Sequence, residues 1–249
     1  MTVQASRTNL PRIVGIGAQK AGTSWLHVNL SSHPDIWVPP FKELHFFDYK
    51  FCDDSKNWAP WHVRSNLKRL MKSTDPASDR YLYLKSLEAD PILNGNWYKK
   101  VFSAMAHDQI GLDITPEYCA LPAEGVDFLL KFLHSPKIIY IIRDPVERAI
   151  SQIKMNITRR KKSLGDPAVW EMMAREKVIR DRGDYLSYIP RWDRSHSDVL
   201  YLPFGEIERN PLDLLRRIEA YCGLAAADYP NASSRVFATP TVPVPDSVR

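Results

Sequence analysis

A strand, a glycine-containing loop and a helix follow one another directly near the start of the chain. RIVGIG, residues 12–17, is a short run of apolar and β-branched residues that predicts a buried strand. A helix is predicted over residues 24–32, ending before His33 and Pro34. Between them lies the loop of GIGAQKAGTSWL, residues 15–26. This arrangement presents backbone N–H groups and the positive end of a helix dipole to an anion.

The loop differs from the phosphate-binding loop of nucleotide hydrolases in the position of its lysine. Gly17 and Gly22 enclose four residues, as G-x-x-x-x-G-K-[ST] requires. Thr23 then stands where that motif has its lysine, and Lys20 lies inside the loop. In a functional interpretation, the loop amides and the hydroxyls of Thr23 and Ser24 hold a phosphate while Lys20 contacts a charged oxygen. The alternative is a purely structural turn, and the loop alone does not decide between the two.

Strands and helices alternate along the rest of the chain. The further elements predicted are strands over IGLDIT (110–115), KIIYII (137–142) and VLYLPFGEI (199–207), and helices over 124–134, from Pro145 onward and over 211–224. This order predicts an α/β, three-layer, P-loop-like fold in which helices flank a central, mostly parallel sheet. The length of 249 residues fits a single domain over 1–249, with a proline-rich, weakly structured tail or a truncated lobe from about residue 231.

A second candidate anion site lies in IIRDPVERAISQ, residues 141–152, where the clearest strand runs into a helix. Arg143 stands at this junction and Ser151 follows about two turns later. An arginine there can bind a phosphate bidentately, and the serine can add a neutral donor. The alternative is an ordinary surface ion pair of Arg143 with Asp144 or Glu147.

A candidate general base lies in FKELHFFD, residues 41–48. Glu43 lies there among apolar and aromatic residues, surroundings that suit a carboxylate to act as a general base. Lys42, His45 and Asp48 are its charged or titratable neighbours. The alternative is a solvated charged loop beside a hydrophobic anchor.

Taken together, the two junctions suit a nucleotide with phosphates at both ends, because ligands of such sheets collect at the carboxyl ends of the strands. No apolar strand ends in a clear Walker-B aspartate, so Mg²⁺-dependent γ-phosphoryl transfer lacks its usual parts. A net charge of +5 fits an anionic ligand, and the absence of an aromatic–basic strand motif argues against nucleic acid. The three separated cysteines predict neither a disulfide framework nor a metal site. No secretory leader or membrane-spanning run is visible, so we expect a cytoplasmic protein without stable membrane insertion.

The chain resembles the sulfotransferases that use 3′-phosphoadenosine 5′-phosphosulfate (PAPS), most of all the heparan sulfate N- and 3-O-type branch and its bacterial relatives. The resemblance runs from about residue 12 to 224 and rests on the order of QKAGTSWL, KELHFFD, GNWYKKVF, DITPEY, IIRDPVERAISQ, RGDYLSYIPRW and FGEIERNPLDLLRRIEAYCGL. It implies transfer of a sulfuryl group from PAPS, with 3′,5′-ADP as the product and no metal.

The resemblance also implies a role for each matching residue. The 5′-phosphosulfate is assigned to the loop residues Lys20, Ala21, Gly22, Thr23, Ser24 and Trp25, and the 3′-phosphate to Arg143 and Ser151. Glu43 would act as the base that activates the acceptor, Lys20 would stabilise the leaving phosphate, and Lys42 and His45 would line the same cleft. The competing interpretations are a P-loop nucleotide kinase or other phosphotransferase, and a nucleotide-binding module without catalysis.

Three departures from the family pattern concern the acceptor side and the end of the chain. Relatives often carry a lysine where this chain has Ile114, and a late Lys/Arg-Gly loop that closes over the donor is not found after residue 230. The C-terminal cysteine pair of several animal relatives is absent, since Cys222 stands alone.

The acceptor, a carbohydrate-containing or small molecule, is left open by the sequence. The basic run TRRKKS (158–163) could hold an anionic glycan, but a solvated helix end is the commoner explanation. Trp58, Trp61, Trp97 and Tyr98 could stack on an acceptor, but they could equally be core residues, above all Trp97.

Overall fold

The computed structural model describes residues 9–89, 91–195, 198–234, 236, 242–245 and 248. Five strands in these segments form one sheet in the order β2-β3-β1-β4-β5, and every neighbouring pair is parallel. The strands are β1 (Pro11–Gly17), β2 (Ile36–Trp37), β3 (Ile110–Ile114), β4 (Lys137–Ile142) and β5 (Val199–Pro203). The prediction of an α/β fold with a central parallel sheet flanked by helices is confirmed.

Helices connect the strands and cover the sheet. The helices are α1 (Thr23–Leu30), α2 (Phe46–Phe51), α3 (Asp53–Lys56), α4 (Ala59–Lys72), α5 (Asp79–Glu88), α6 (Gly95–Val101), α7 (Ala123–Phe132), α8 (Pro145–Arg159), α9 (Pro167–Ala174), α10 (Lys177–Asp181), α11 (Tyr185–Arg194), α12 (Glu206–Arg209) and α13 (Pro211–Cys222), with 3₁₀ turns at Phe102–Ala104 and Pro116–Ala120. Strands β1 and β4 are buried along most of their length, as expected for strands with helices on both faces. Gly223 caps the C-terminus of α13 with φ 68°, a left-handed conformation that glycine adopts without strain.

Strand β1 lies at the centre of the sheet, between β3 and β4. Gly15 pairs with Ile114 on one side and with Ile139 on the other. Because all three strands run in the same direction, the loops that follow Gly17, Ile114 and Ile142 leave the sheet at the same edge. The sheet topology therefore brings together the loops that carry the predicted site residues.

The structure departs from the predicted elements at one strand boundary and at one strand that was not predicted. The strand predicted over 199–207 ends at Pro203, and the chain turns through Phe204 and Gly205 into the short helix α12. The two-residue strand β2 was not predicted, because a segment of that length has no periodicity to detect.

The hydrophobic core has two parts. The larger cluster surrounds the sheet, and a smaller one joins α8, α9 and α10 through Ile153, Trp170 and Ile179. Only part of the proposed tail after residue 231 falls on described residues; among these, Ala232 is buried and packs on the main cluster. Within the described segments, no helix combines the length and apolar character needed to cross a membrane.

Candidate active site

The two predicted anion-binding junctions lie side by side at the carboxyl edge of the sheet. Arg143, which follows β4, donates a hydrogen bond from Nη1 to the backbone carbonyl of Lys20 at 2.9 Å. Its guanidinium also lies over the ring of Phe204, 4.3 Å from the ring centroid. The ion pair with Glu147 proposed as an alternative is present at 3.7 Å, but Glu147 is exposed and the pair is one contact among several. Arg143 is therefore held between the first loop and the turn after β5.

The glycine loop after β1 requires glycine at its last position. Gly22 has φ 90°, and a Cβ built there would lie 2.4 Å from Cδ1 of Ile207 on α12. Lys20 also has a positive φ, 67°, a region that residues with a side chain rarely adopt. Such a loop keeps backbone N–H groups close to the start of α1, where an anion binds favourably.

Lys42 connects this loop to the candidate base. Its Nζ lies 3.1 Å from Oγ1 of Thr23, 3.4 Å from Oγ of Ser24 and 3.1 Å from Oε1 of Glu43. One ammonium group thus joins the two hydroxyls predicted to bind phosphate to the carboxylate predicted to accept a proton. The sequence placed Lys42 in the cleft but did not show this link.

Lys20 lies in a strongly basic environment. Burial lowers the pKa of its ammonium, and the nearby positive charges of Arg159, Arg143 and Lys42 lower it further. Repulsion among such cations is relieved when a polyanion binds between them. Arg159, in the basic run at the end of α8, adds positive charge near the Lys20 ammonium. Its neighbour Arg160 instead forms an ion pair with Glu176 at 2.5 Å.

The segment that carries Glu43 and His45 is fastened to the chain after β3. Both residues have positive φ values, 68° and 53°. The backbone N–H of Leu44, between them, donates to Oγ1 of Thr115 at 3.0 Å, and the N–H of Phe46, directly after His45, donates to the hydroxyl of Tyr118 at 3.2 Å. These long-range hydrogen bonds hold a backbone conformation that is otherwise unfavourable.

A buried carboxylate organises those two hydroxyl groups. Asp113 on β3 accepts hydrogen bonds from Tyr98 at 2.8 Å, from Thr115 at 2.8 Å and from Tyr118 at 3.0 Å. Burial raises the pKa of Asp113 to about 6, although the three hydrogen bonds act in the opposite direction. Local sequence does not mark Asp113 as a site residue, because its three partners surround it only in the folded chain.

His45, two residues after Glu43, is fully buried. Its Nδ1 lies 3.1 Å from Oδ2 of Asp48, and its Nε2 lies 3.8 Å from Oε2 of Glu43. Burial lowers the pKa of His45, but the hydrogen bond to Asp48 and the charges of Asp48, Glu117 and Glu43 outweigh it and raise the pKa above its ordinary value. His45 is thus positioned to orient Glu43.

Three residues without a role assigned from the sequence, Glu117, Arg182 and Gln19, complete the surroundings of His45. Glu117, in the turn after β3, places Oε2 3.9 Å from Nδ1 of His45 and forms a close ion pair with Arg182. Gln19 of the glycine loop donates to the same carboxylate at 3.3 Å. Arg182 opens the RGDYLSYIPRW segment and Glu117 lies in DITPEY, so two motifs that are distant in the chain meet beside His45.

The remaining predicted residues occupy supporting positions. Ser151 is buried on α8, and Ile114 is buried against Gly15 in the sheet. Trp25 is buried, and its indole N–H donates to the carbonyl of Ala232 at 2.7 Å, which anchors α1. Ala21 is buried beside Gly22 in the loop.

The four candidate stacking aromatics separate into different environments. Trp97 and Tyr98 are core residues, as the structural alternative held. Trp58 packs edge-on against His45, with 4.4 Å between ring centroids. Trp61 is 72% exposed, so of these four it alone is open to solvent.

Comparison with known proteins identifies the family. The model of the "Sulfotransferase family" matches residues 11–228. The chain belongs to the sulfotransferase family. The match contains the glycine loop, the Glu43 segment and the Arg143 junction, so it covers the whole candidate active site.

Similar proteins are found among curated sequences and among solved structures. The chain is 26% identical over 233 residues to heparan sulfate glucosamine 3-O-sulfotransferase 5 of Mus musculus, covering 86% of this chain and 54% of the mouse protein. It is 24% identical over 201 residues to the membrane-associated sulfotransferase kil1 of Dictyostelium discoideum, covering 81% of this chain and 34% of that one. The chain therefore spans between about a third and a half of the length of these relatives.

The fold is shared with a sulfotransferase from Alicyclobacillus acidocaldarius, with a TM-score of 0.61, 23% identity, and coverage of 91% of this chain and 86% of that one. The sulfotransferase domain of a Synechococcus olefin synthase has a TM-score of 0.59 at 18% identity and covers 92% of this chain and 78% of that domain. At these identities the likeness supports the fold alone.

Proposed function

We propose that the protein transfers a sulfuryl group from PAPS to a hydroxyl or amine of an acceptor that is a carbohydrate or another small molecule. The observation that carries the proposal is the hydrogen bond from Arg143 to the backbone of Lys20, which joins the two junctions that we propose bind anions. A nucleotide with phosphates at both its 3′ and 5′ positions suits such a pair of sites. PAPS supplies the activated sulfuryl group, and the protein supplies position and charge.

The glycine loop would hold the 5′ end of the donor. Its backbone N–H groups, with the hydroxyls of Thr23 and Ser24, would bind the phosphate oxygens, and Lys20 would neutralise the negative charge that develops on the leaving phosphate. The lowered pKa of Lys20, caused by burial and neighbouring cations, makes that ammonium a stronger hydrogen-bond donor to the leaving oxygen. Arg143 would bind the 3′-phosphate, assisted by Ser151.

Glu43 would take the proton of the acceptor as the new oxygen–sulfur or nitrogen–sulfur bond forms. Lys42 contacts Oε1 of Glu43 at 3.1 Å, and Nε2 of His45 lies 3.8 Å from Oε2, so each carboxylate oxygen faces a basic group. Because Lys42 also contacts Thr23 and Ser24, the base lies close to the site assigned to the 5′-phosphosulfate. A sulfuryl group carries less negative charge than a γ-phosphoryl group, and protein cations therefore suffice without a catalytic metal.

The curated relatives support a carbohydrate acceptor, since one is described as a heparan sulfate glucosamine sulfotransferase. Arg182, which pairs with Glu117 beside His45, and the exposed Trp61, which precedes His62 on α4, are candidates to contact the acceptor. We also propose that the chain forms one catalytic domain. We propose a cytoplasmic location for it, although one relative is described as membrane-associated. Cell fractionation with the tagged chain tests the location.

Ligand-dependent thermal stability separates this function from its competitors. A 100-fold excess of 3′,5′-ADP over its Kd should stabilise the protein by about 2.7 kcal/mol without Mg²⁺, and ADP should stabilise it less. A response to ATP that requires Mg²⁺, with none to 3′,5′-ADP, would support the kinase interpretation instead. Binding of 3′,5′-ADP without turnover of PAPS on any of a panel of carbohydrate and phenolic acceptors would favour a non-catalytic binding module.

A further inference from the structure

A second histidine lies against the Glu43 segment and has no part in the mechanism above. His62 on α4 packs edge-on against His45, with 4.9 Å between the ring centroids. Glu43, His45 and His62 each offer one ligand atom, and these three atoms lie within 4.8 Å of one another. Two imidazole nitrogens and one carboxylate oxygen thus lie near one another in the cleft. Nε2 of His62 also lies 3.2 Å from Nδ2 of Asn66 and 3.5 Å from the carbonyl oxygen of Lys42, so these contacts must yield where a metal uses that nitrogen.

His45 has the environment of a metal ligand. Its Nδ1 is paired with the carboxylate of Asp48 at 3.1 Å, which orients the ring and leaves Nε2 as the free position. That Nε2 is buried and has no hydrogen-bond partner among the residues that the structure describes. A histidine that ligates a metal commonly bonds a carboxylate through its other nitrogen in this way, and a buried nitrogen without a partner is unfavourable unless something binds it.

The ligand set indicates which ion would bind. Two imidazoles with one carboxylate suit Zn²⁺, whereas Mg²⁺ prefers oxygen ligands alone. Ligand atoms around tetrahedral zinc lie about 3.3 Å apart, so closure requires movements of about 1 Å. Glu43 can make such a movement because its side chain is 30% exposed.

The charges around the cluster are compatible with a cation. Lys42 contacts Oε1 of Glu43, but Oε2 faces His45 and is the oxygen available to a metal. Asp48 and Glu117 add negative charge near the His45 ring, while Arg182 pairs with the other oxygen of Glu117.

We propose that Zn²⁺ binds to Glu43, His45 and His62 and thereby inhibits the protein. A carboxylate that is bound to zinc no longer takes the proton of the acceptor. The inhibitory effect rests on the proposed sulfotransfer, whereas the binding of zinc does not. Donor binding at Arg143 is expected to continue, since none of the three ligands belongs to the 3′-phosphate site.

Calorimetric titration of the metal-free full chain with ZnCl₂ at pH 7.5, in the presence of millimolar MgCl₂, tests the binding. We expect the unsubstituted chain to bind one zinc ion. His62→Phe keeps an aromatic ring against His45 but removes a ligand, and its affinity for zinc should be weaker by about 10-fold or more. The matched control is His107→Phe, at an exposed turn, which should titrate like the unsubstituted protein. Glu43→Gln provides a second ligand variant at a half-exposed position in case His62→Phe does not fold.

The same proteins assayed with PAPS and an acceptor test the inhibition. Zinc should inhibit the unsubstituted chain, and His62→Phe should keep its metal-free activity within about threefold while requiring at least 10-fold more zinc for inhibition. The proposal is overturned if the unsubstituted chain does not bind zinc. It is also overturned if His62→Phe and Glu43→Gln bind zinc as tightly as the unsubstituted chain does. Zinc binding that depends on His62 in a protein without sulfotransferase activity would uphold the site and refute the proposed function.

Discussion

The buried carboxylate of Asp113 should make the stability of the protein depend on pH in an unusual direction. Its pKa is raised to about 6 in the folded protein by burial, against 3.8 in the unfolded chain. The folded state therefore binds the proton more tightly, so the contribution of Asp113 to stability is fully present below pH 3.8 and is lost as pH rises through 6. At 1.36 kcal/mol per pH unit, the whole effect is about 3 kcal/mol, of which about 2 kcal/mol falls between pH 4 and 7.

Asp113→Asn removes this titration while keeping a side chain of the same shape. Urea unfolding of both proteins at pH 4 and pH 7 gives the free energy of unfolding at each pH. The stability of the unsubstituted protein relative to Asp113→Asn should fall by about 2 kcal/mol between these values. Asp108→Asn, at an exposed turn, controls for the loss of one charge and should show no such change. A difference that is independent of pH, or that grows in favour of the unsubstituted protein as pH rises, would refute the reasoning.

Three substitutions test the remaining parts of the site. Lys20→Ala and Glu43→Gln should each lower kcat by about 10²-fold or more, and Glu43→Gln should still bind 3′,5′-ADP. Near-normal turnover in either variant would remove the substituted residue from its assigned role. Arg143→Ala should abolish the preference for 3′,5′-ADP over ADP in thermal stabilisation, because the bidentate phosphate contact is lost; an unchanged preference would place the 3′-phosphate elsewhere. Thr115→Val leaves the buried N–H of Leu44 without its acceptor and should cost about 1–3 kcal/mol in urea unfolding, with a drop in kcat from misplacement of the base. Unchanged stability would show that this hydrogen bond does not hold the segment.

Local patterns in the sequence determined the sheet and its two principal junctions. The apolar runs of β1 and β4 and the loops that follow them are contiguous segments, so their composition predicted both the element and the residues at its end. The same holds for Glu43, whose apolar neighbours are adjacent in the chain. The order of the short motifs then gave the family, which the match over residues 11–228 confirms.

Tertiary structure alone decided how these parts face one another. The bond between Arg143 and Lys20 joins residues 123 positions apart, and the bond from Leu44 to Thr115 spans 71 positions. The pairing of Arg182 with Glu117 and the contact between His62 and His45 likewise join different elements. No periodicity within a segment encodes such contacts, because they depend on the parallel strand order and on helices packing against the sheet. Local sequence therefore determined which groups are available for chemistry, and the fold determined their charge, orientation and partners.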